Sequence, residues 1–273
     1  MFSTFFKHQP IALTGIIPHV FEWVTSGTTD IIYDNPRYTP PKEDNNGIAL
    51  YCVHGTADRV SAFRKMAGRL KELPSEIASL HLVSFDQRAK GIGIDDFAQQ
   101  LLEKIILNKH QKVILVGHSR GAVVAAFCQA FLAKTAGIEV LSVISICGPF
   151  LGSHLALPPL SLASTSVAQM QISSDFLQTL ADQMIASGVK YYYYAAENDW
   201  IVPPANAYLT QNCQAFTTLK RHGHLSILSS HILVESIQEN LEQICKPSQL
   251  TLEESDFYDL NDDIMAQAAR PAT

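Results

Sequence analysis

Six short apolar runs, most of them separated by segments of helical period, narrow most sharply what this chain can fold into. The runs are Ile48 to Val53, Leu80 to Phe85, Val113 to Val116, Val140 to Ile146, the tyrosine-rich Lys190 to Ala196, and Cys213 to Leu219. After the first, Val60, Phe63, Met66, Ala67 and Leu70 recur at helical spacing; after the second, Phe97, Leu101, Leu102 and Ile105; after the third, Val123, Val124, Phe127 and Phe131. Strands apolar on both faces and alternating with helices are what a parallel sheet requires, because each crossover must lay a helix over one face. The expectation is one α/β domain over residues 48–246, a doubly wound, mostly parallel sheet. Its last helix should run from about Leu225 to Ile244, burying Leu228, Ile232, Ile237, Leu241 and Ile244.

Three segments stand apart from this pattern. Residues 1–47 read as an N-terminal extension that ends in a polar, proline-bearing connector from Tyr38 to Gly47. Between the fourth and fifth runs lies an insertion of about forty residues, longer than loops in compact domains usually are, so it should cover something. It is expected over about residues 150–188, with the apolar, proline-bearing stretch Leu155 to Leu162 and a helical segment around Phe176, Leu177, Leu180 and Met184. Residues 247–273 form an acidic tail through Glu253, Glu254, Asp256, Asp259, Asp262 and Asp263.

Composition then excludes several function classes. With 47% hydrophobic and 17% charged residues, the chain has the material for a sizeable core. A net charge of −6 and no cluster of Lys and Arg argue against nucleic acid as a partner. Cys52, Cys128, Cys147, Cys213 and Cys245 are odd in number, scattered and mostly set in apolar runs, so they read as small buried hydrophobes with no disulfide framework. The apolar patch from Ile11 to Phe21 is interrupted by Gly15 and Pro18 and lacks the basic flank and cleavage site of a signal peptide. No stretch reaches the roughly 18 apolar residues of a membrane span. A cytoplasmic protein, at most peripherally in contact with a membrane, is expected.

Chemistry concentrates at Gly117-His118-Ser119-Arg120-Gly121, between the third apolar run and its helix. A serine at a sharp strand-to-helix turn exposes its oxygen above the sheet, and the glycines on either side let backbone approach where a Cβ would clash. The helix that starts behind Ser119 favours negative charge developing in front of it. A serine hydroxyl is a poor nucleophile unless a base takes its proton, and the base must be held by an acid on its other ring nitrogen. In a strand-turn-helix site of this kind the acid follows a late strand and the histidine precedes the last helix. Asp199, in Glu197-Asn198-Asp199-Trp200-Ile201-Val202-Pro203, and His224, in Arg221-His222-Gly223-His224-Leu225, fall at those places, with Glu197 and His222 as near rivals. An oxyanion needs two backbone donors: Arg120, after the serine, supplies one, and Thr56 in the loop His54-Gly55-Thr56 is the candidate for the other. His54 has no H-E-x-x-H partner and reads as a brace for that loop, so no metal is expected.

These segments together resemble the lipase and esterase branch of the α/β-hydrolase superfamily, including lipase-like proteins related to the GPI-inositol deacylase. The matching segments are His54-Gly55-Thr56, Asp86-Gln87-Arg88 through Gly91 and Gly93, the Gly117 to Gly121 turn, Asp199 to Pro203, and Gly223-His224-Leu225. Gly148-Pro149-Phe150-Leu151-Gly152-Ser153 is similar to a lipase T-P-H-x-G-S stretch but departs from it at Gly148 and Phe150, and Ala122 stands where many relatives carry glycine. The resemblance implies hydrolysis of carboxylic esters, small or lipid, without a cofactor, under a short lid over an apolar acyl pocket. The same residues would serve a thioesterase, an amidase or an acyltransferase, and the fold could also persist as a silent binding module. The tail segment Leu252-Glu253-Glu254-Ser255-Asp256 also looks like the glutamate-rich export signals of secreted bacterial effectors.

Overall fold

The computed structural model describes residues 29–40, 47–56, 59–70, 72–85 and 92–246. The patch at Ile11 to Phe21, most of the connector before Gly47, the segment Asp86 to Gly91 and the acidic tail lie outside the described residues.

Seven strands form one sheet. They are β1 (Ile31–Asp34), β2 (Ile48–Val53), β3 (Ile77–Val83), β4 (Lys112–His118), β5 (Glu139–Ile146), β6 (Tyr191–Ala196) and β7 (Cys213–Leu219). Their spatial order is β1-β3-β2-β4-β5-β6-β7, parallel throughout except for β1. β1 is a difference from the sequence reading, which begins the sheet at Ile48. Four residues of the extension pair antiparallel with β3, from Ile31 opposite Leu82 to Asp34 opposite Ser79. A single short edge strand, with Ile32 and Tyr33 exposed, carries no alternation long enough to announce itself.

The main helices are α1 (Arg64–Arg69), α2 (Ile94–Leu107), α3 (Arg120–Phe127, continued by a wider turn to Ala133), α4 (Leu160–Ala163), α5 (Thr165–Gln169), α6 (Asp175–Ala186) and α7 (His231–Cys245). The central strands bury both faces, and alternate residues feed two cores. Tyr51, Val53, Leu115, Tyr191 and Tyr193 pack under α2, α3 and α6, while Leu50, Cys52, Ile114, Val116, Tyr192 and Tyr194 pack under α1 and α7. The last helix is shorter than the apolar spacing suggests. Ser226–Ser229 form a separate 3-10 turn, and Ser230 caps α7 by accepting the Leu233 amide.

This arrangement brings the carboxyl ends of β2, β4, β5, β6 and β7 to one edge, where the reversal of strand order between β2 and β4 opens a crevice. The insertion after β5 folds into α4, α5 and α6; its first part, through Met170, lines a cavity at that edge, whereas α6, expected within the covering segment, packs on the face of the sheet against α3. Among the described residues no helix is long and apolar enough to cross a membrane.

Candidate active site

Ser119 occupies the turn between β4 and α3 with φ 55° and ψ −126°, a conformation an L-residue rarely adopts. Two close backbone approaches hold it there. A Cβ on Gly117 would lie 2.3 Å from the Ala122 Cα, and one on Gly121 would lie 2.0 Å from the Val53 carbonyl oxygen. Only glycines let α3 start this close to the end of β2. The Ser119 amide donates to the Ile146 carbonyl at 2.9 Å, tying the turn to the end of β5.

Asp199 and His224 come from the loops after β6 and β7, and both are buried. His224 Nδ1 lies 2.6 Å from Asp199 Oδ2, and His224 Nε2 lies 2.8 Å from Ser119 Oγ. Because a carboxylate only accepts, the Nδ1 proton points at Asp199 and Nε2 is left as an acceptor for the serine hydroxyl. The other carboxylate oxygen, Oδ1, accepts the amides of Ile201 and Val202, each at 2.9 Å. The near rivals are used elsewhere. Glu197 is exposed and accepts the Arg221 amide, and His222 Nδ1 is turned to the Lys220 carbonyl.

Thr56 and Arg120 flank the serine. Gly55 brings the loop after β2 so near that a Cβ on it would sit 3.1 Å from the Ser119 Cβ, and Thr56 lines the same cavity as Ser119. Arg120 is the first residue of α3, where the leading amides have no carbonyl within the helix to bond. His54 braces the loop as the sequence suggests, with Nδ1 on the Gly55 carbonyl and its ring edge against Phe85.

Several contributors escape sequence reasoning. The Arg120 guanidinium is buried, with Nη2 3.4 Å from the Gly55 carbonyl, Nη1 3.5 Å from Ser166 Oγ, and Cζ 4.1 Å above the Phe97 ring. One side chain thus joins the loop after β2, helix α5 of the insertion and α2. His118 donates from Nε2 to the His224 carbonyl at 2.9 Å, with the two rings 4.9 Å apart. Cys147, read from sequence as a small buried hydrophobe, lies fully buried in the core, and burial together with the nearby Asp199 carboxylate pushes its thiol well above the ordinary pKa, so it stays protonated. A histidine or arginine in a polar motif gives no sign of which loop it will bond.

Cys147 Sγ, an Asp199 oxygen and a His224 nitrogen lie within 4.8 Å of one another, a spacing compatible with metal ligation. The donor chemistry does not suit it. The carboxylate already bonds two amides and an imidazole N–H, and a metal would need that nitrogen and the Cys147 thiol deprotonated, while burial holds the thiol protonated.

Ser119 and His224 sit at one end of a cavity of about 220 Å³. Its walls are apolar: Leu155, Ala156 and Leu160 from the start of the insertion, Val167 and Met170 from α5 and the residue after it, and Ile201 and Leu225 beside the acid and the histidine. The insertion is fastened rather than loose. The Met170 carbonyl accepts the Ser153 amide at 2.9 Å, the Ile201 carbonyl accepts from both the His154 amide and the Ser153 hydroxyl, and Gln169 Oε1 accepts the Ile94 amide at 2.6 Å.

A mostly parallel sheet with a serine at the β4–α3 turn and an apolar cavity beside it defines a lipase-like α/β hydrolase. The family model described as lecithin:cholesterol acyltransferase matches residues 51–240, and the chain belongs to that family. No curated protein matches it in sequence. Among solved structures, it is similar to the mature lipase BlEst2 of Bacillus licheniformis (19% identity, TM-score 0.59, covering 79% of this chain and 99% of that one). It is similar also to the peroxisomal α/β-hydrolase Lpx1 of Saccharomyces cerevisiae (14% identity, TM-score 0.59, 89% and 90% covered). A carboxylesterase from the thaumarchaeon Nitrososphaera gargenis aligns at 12% identity and TM-score 0.52, covering 79% and 94%. At these identities the likeness is one of fold.

Proposed function

We propose that the protein cleaves carboxylic esters, lipid esters in particular, through an acyl-enzyme on Ser119. The observation that carries this reading is the continuous relay from Ser119 Oγ through His224 to Asp199 at the mouth of an apolar cavity. His224 Nε2 accepts the serine proton as Oγ attacks the substrate carbonyl, and the buried Asp199 carboxylate supports the imidazolium that forms. The amides of Thr56 and Arg120 receive the oxyanion, helped by the N-terminal end of α3. His224 then returns the proton to the leaving alcohol. Water, activated by the same imidazole, releases the acid and frees Ser119.

The substrate class is supported by the cavity walls and by their surroundings. From Val140 to Ser174 the chain has no Asp, Glu, Lys or Arg at all, in a protein that is 17% charged. Leu157, Leu160, Leu162 and Ile172 of that stretch, and Trp200 beside the acid, are exposed on the segments that line the cavity or adjoin them. An apolar, uncharged rim suits a water-insoluble ester and peripheral contact with its surface. The test is a series of p-nitrophenyl and triglyceride esters of increasing chain length. Turnover by the wild type, absent in Ser119→Ala at unchanged melting temperature, is expected, and Leu162→Asp should depress hydrolysis of emulsified esters more than of soluble ones. Equal activity in Ser119→Ala would remove the reading.

The description of the matching family supplies a second reading, in which an alcohol replaces water as the acceptor of the acyl group. Product analysis with an added long-chain alcohol separates the two: free acid alone means hydrolysis, and a new ester means transfer.

A further inference from the structure

Arg120 enters the candidate site twice. Its amide is one of the two donors that the oxyanion requires, and its buried guanidinium lies against the loop that carries the other. That loop has a weak point. The Thr56 N–H belongs to the peptide that follows Gly55, and a glycine leaves such a plane freer to turn over than another residue would. The peptide is trans, so its carbonyl and its N–H point to opposite sides, and whatever holds the Gly55 oxygen also aims the Thr56 N–H. Two groups hold that oxygen: His54 Nδ1 at 3.0 Å and Arg120 Nη2 at 3.4 Å. A carbonyl only accepts, so both nitrogens donate.

The guanidinium is itself fixed. Its Cζ stands 4.1 Å over the ring of Phe97 in α2, and Nη1 lies 3.5 Å from Ser166 Oγ in α5, with both partners buried. A planar fork lets one nitrogen serve Gly55 while the other serves Ser166, which the single ammonium of a lysine cannot do. We infer that Arg120 is a positioning residue for the oxyanion: its guanidinium pins the Gly55 carbonyl, so that the Thr56 N–H faces the cavity beside Ser119 before any ester arrives. This rests on the proposed roles of Ser119 and Thr56, which line that cavity together with Gly55. The same arginine ties the oxyanion loop to α5, whose Val167 walls the cavity. Attack by Ser119 creates a charge on the carbonyl oxygen that the substrate lacks. A donor aimed in advance therefore speeds the reaction without tightening the binding of the ester.

Arg120→Met removes the guanidinium and keeps the backbone amide. Loss of a whole oxyanion donor slows kcat by about 10²–10³-fold, and a donor that is present but unaimed should cost less. For a soluble p-nitrophenyl ester, kcat should therefore fall by about ten- to a hundredfold with KM within about twofold of the wild type. The distinguishing readout is inhibition by a trifluoromethyl ketone. Ser119 Oγ adds to its carbonyl carbon, the serine proton passes to His224 and the ketone oxygen becomes an anion, so the Ki reports the oxyanion donors directly. In Arg120→Met the Ki should weaken by the same factor as kcat falls, and in Arg120→Lys both should change severalfold in the same direction. An arginine that merely packs would lower the melting temperature and leave kcat and the Ki where they are. That result, or a fall in kcat with the Ki unchanged, overturns the inference. Should the methionine variant fail to fold, Arg120→Lys decides alone, and wild-type values of both constants overturn it. Fluorophosphonate treatment of the wild type separates the two failures. No label on Ser119 means that the proposed function has failed, whereas a labelled, active wild type beside an unaffected Arg120→Met variant means that only this inference has.

Discussion

Replacing Ser119 by glycine should leave a more stable protein than replacing it by alanine, the reverse of the ordinary order. Both variants lose the 2.8 Å hydrogen bond to His224, so that loss cancels in the comparison. What differs is the backbone. At φ 55° and ψ −126° an alanine Cβ is strained by roughly 1–3 kcal/mol, whereas glycine is at ease there. Against this, glycine gives the unfolded chain more freedom, which costs about 0.4–1 kcal/mol. The difference leaves Ser119→Gly ahead by roughly 1–2 kcal/mol, or about 2–8 °C in melting temperature for a domain of this size. Urea unfolding of the two variants at neutral pH, with calorimetric melts alongside, measures it. An alanine variant as stable as the glycine one would refute the argument that the turn stores strain to present the serine oxygen.

The site edge permits further tests. Gly121→Ala puts a methyl 2.0 Å from the Val53 carbonyl oxygen, backbone against backbone, and should cost about 3 kcal/mol or more by urea unfolding; a cost below 1 kcal/mol would contradict the packing described. Met170→Ala removes side-chain volume from the lining of the cavity and should move the preferred acyl chain towards longer esters in a chain-length series. Stability should fall with acid. His81, stacked 4.6 Å from Tyr51 and bonded to Ser79, is held down to about 4 mainly by burial, with His110 nearby adding to the effect. Its contribution is present above the ordinary histidine value of about 6.5 and is lost as the pH falls towards 4, because the unfolded chain then binds the proton the folded one resists. Melting temperatures across that window should drop less steeply in His81→Gln.

The sheet was legible because parallel strands carry continuous apolar runs, and β2 in particular has the bounds Ile48 to Val53 that its run suggests. The meeting of Ser119, Asp199 and His224 follows from chain order once β4, β5, β6 and β7 are placed in sequence in one parallel sheet. Strand β1 was not legible, since four half-exposed residues have no period. Nor were the contacts of the Arg120 guanidinium and the His118 ring, for a different reason. Each depends on which loops the fold brings to the sheet edge, and the letter at a position does not record its neighbours in space. The tyrosines of β6 illustrate the same limit: their run marks a strand, but only packing shows that Tyr191 bonds Gln129, Tyr193 bonds Asn212 and Tyr194 bonds Ser236.

The central claim, that Ser119 is an activated nucleophile, is tested most directly by treating the purified protein with a fluorophosphonate and locating the adduct by intact mass and peptide mapping. One covalent adduct on Ser119, lost in Ser119→Ala and slowed in Asp199→Asn, is the result predicted. Failure to label with detergent present to open the apolar rim, or an adduct on another residue, would contradict it.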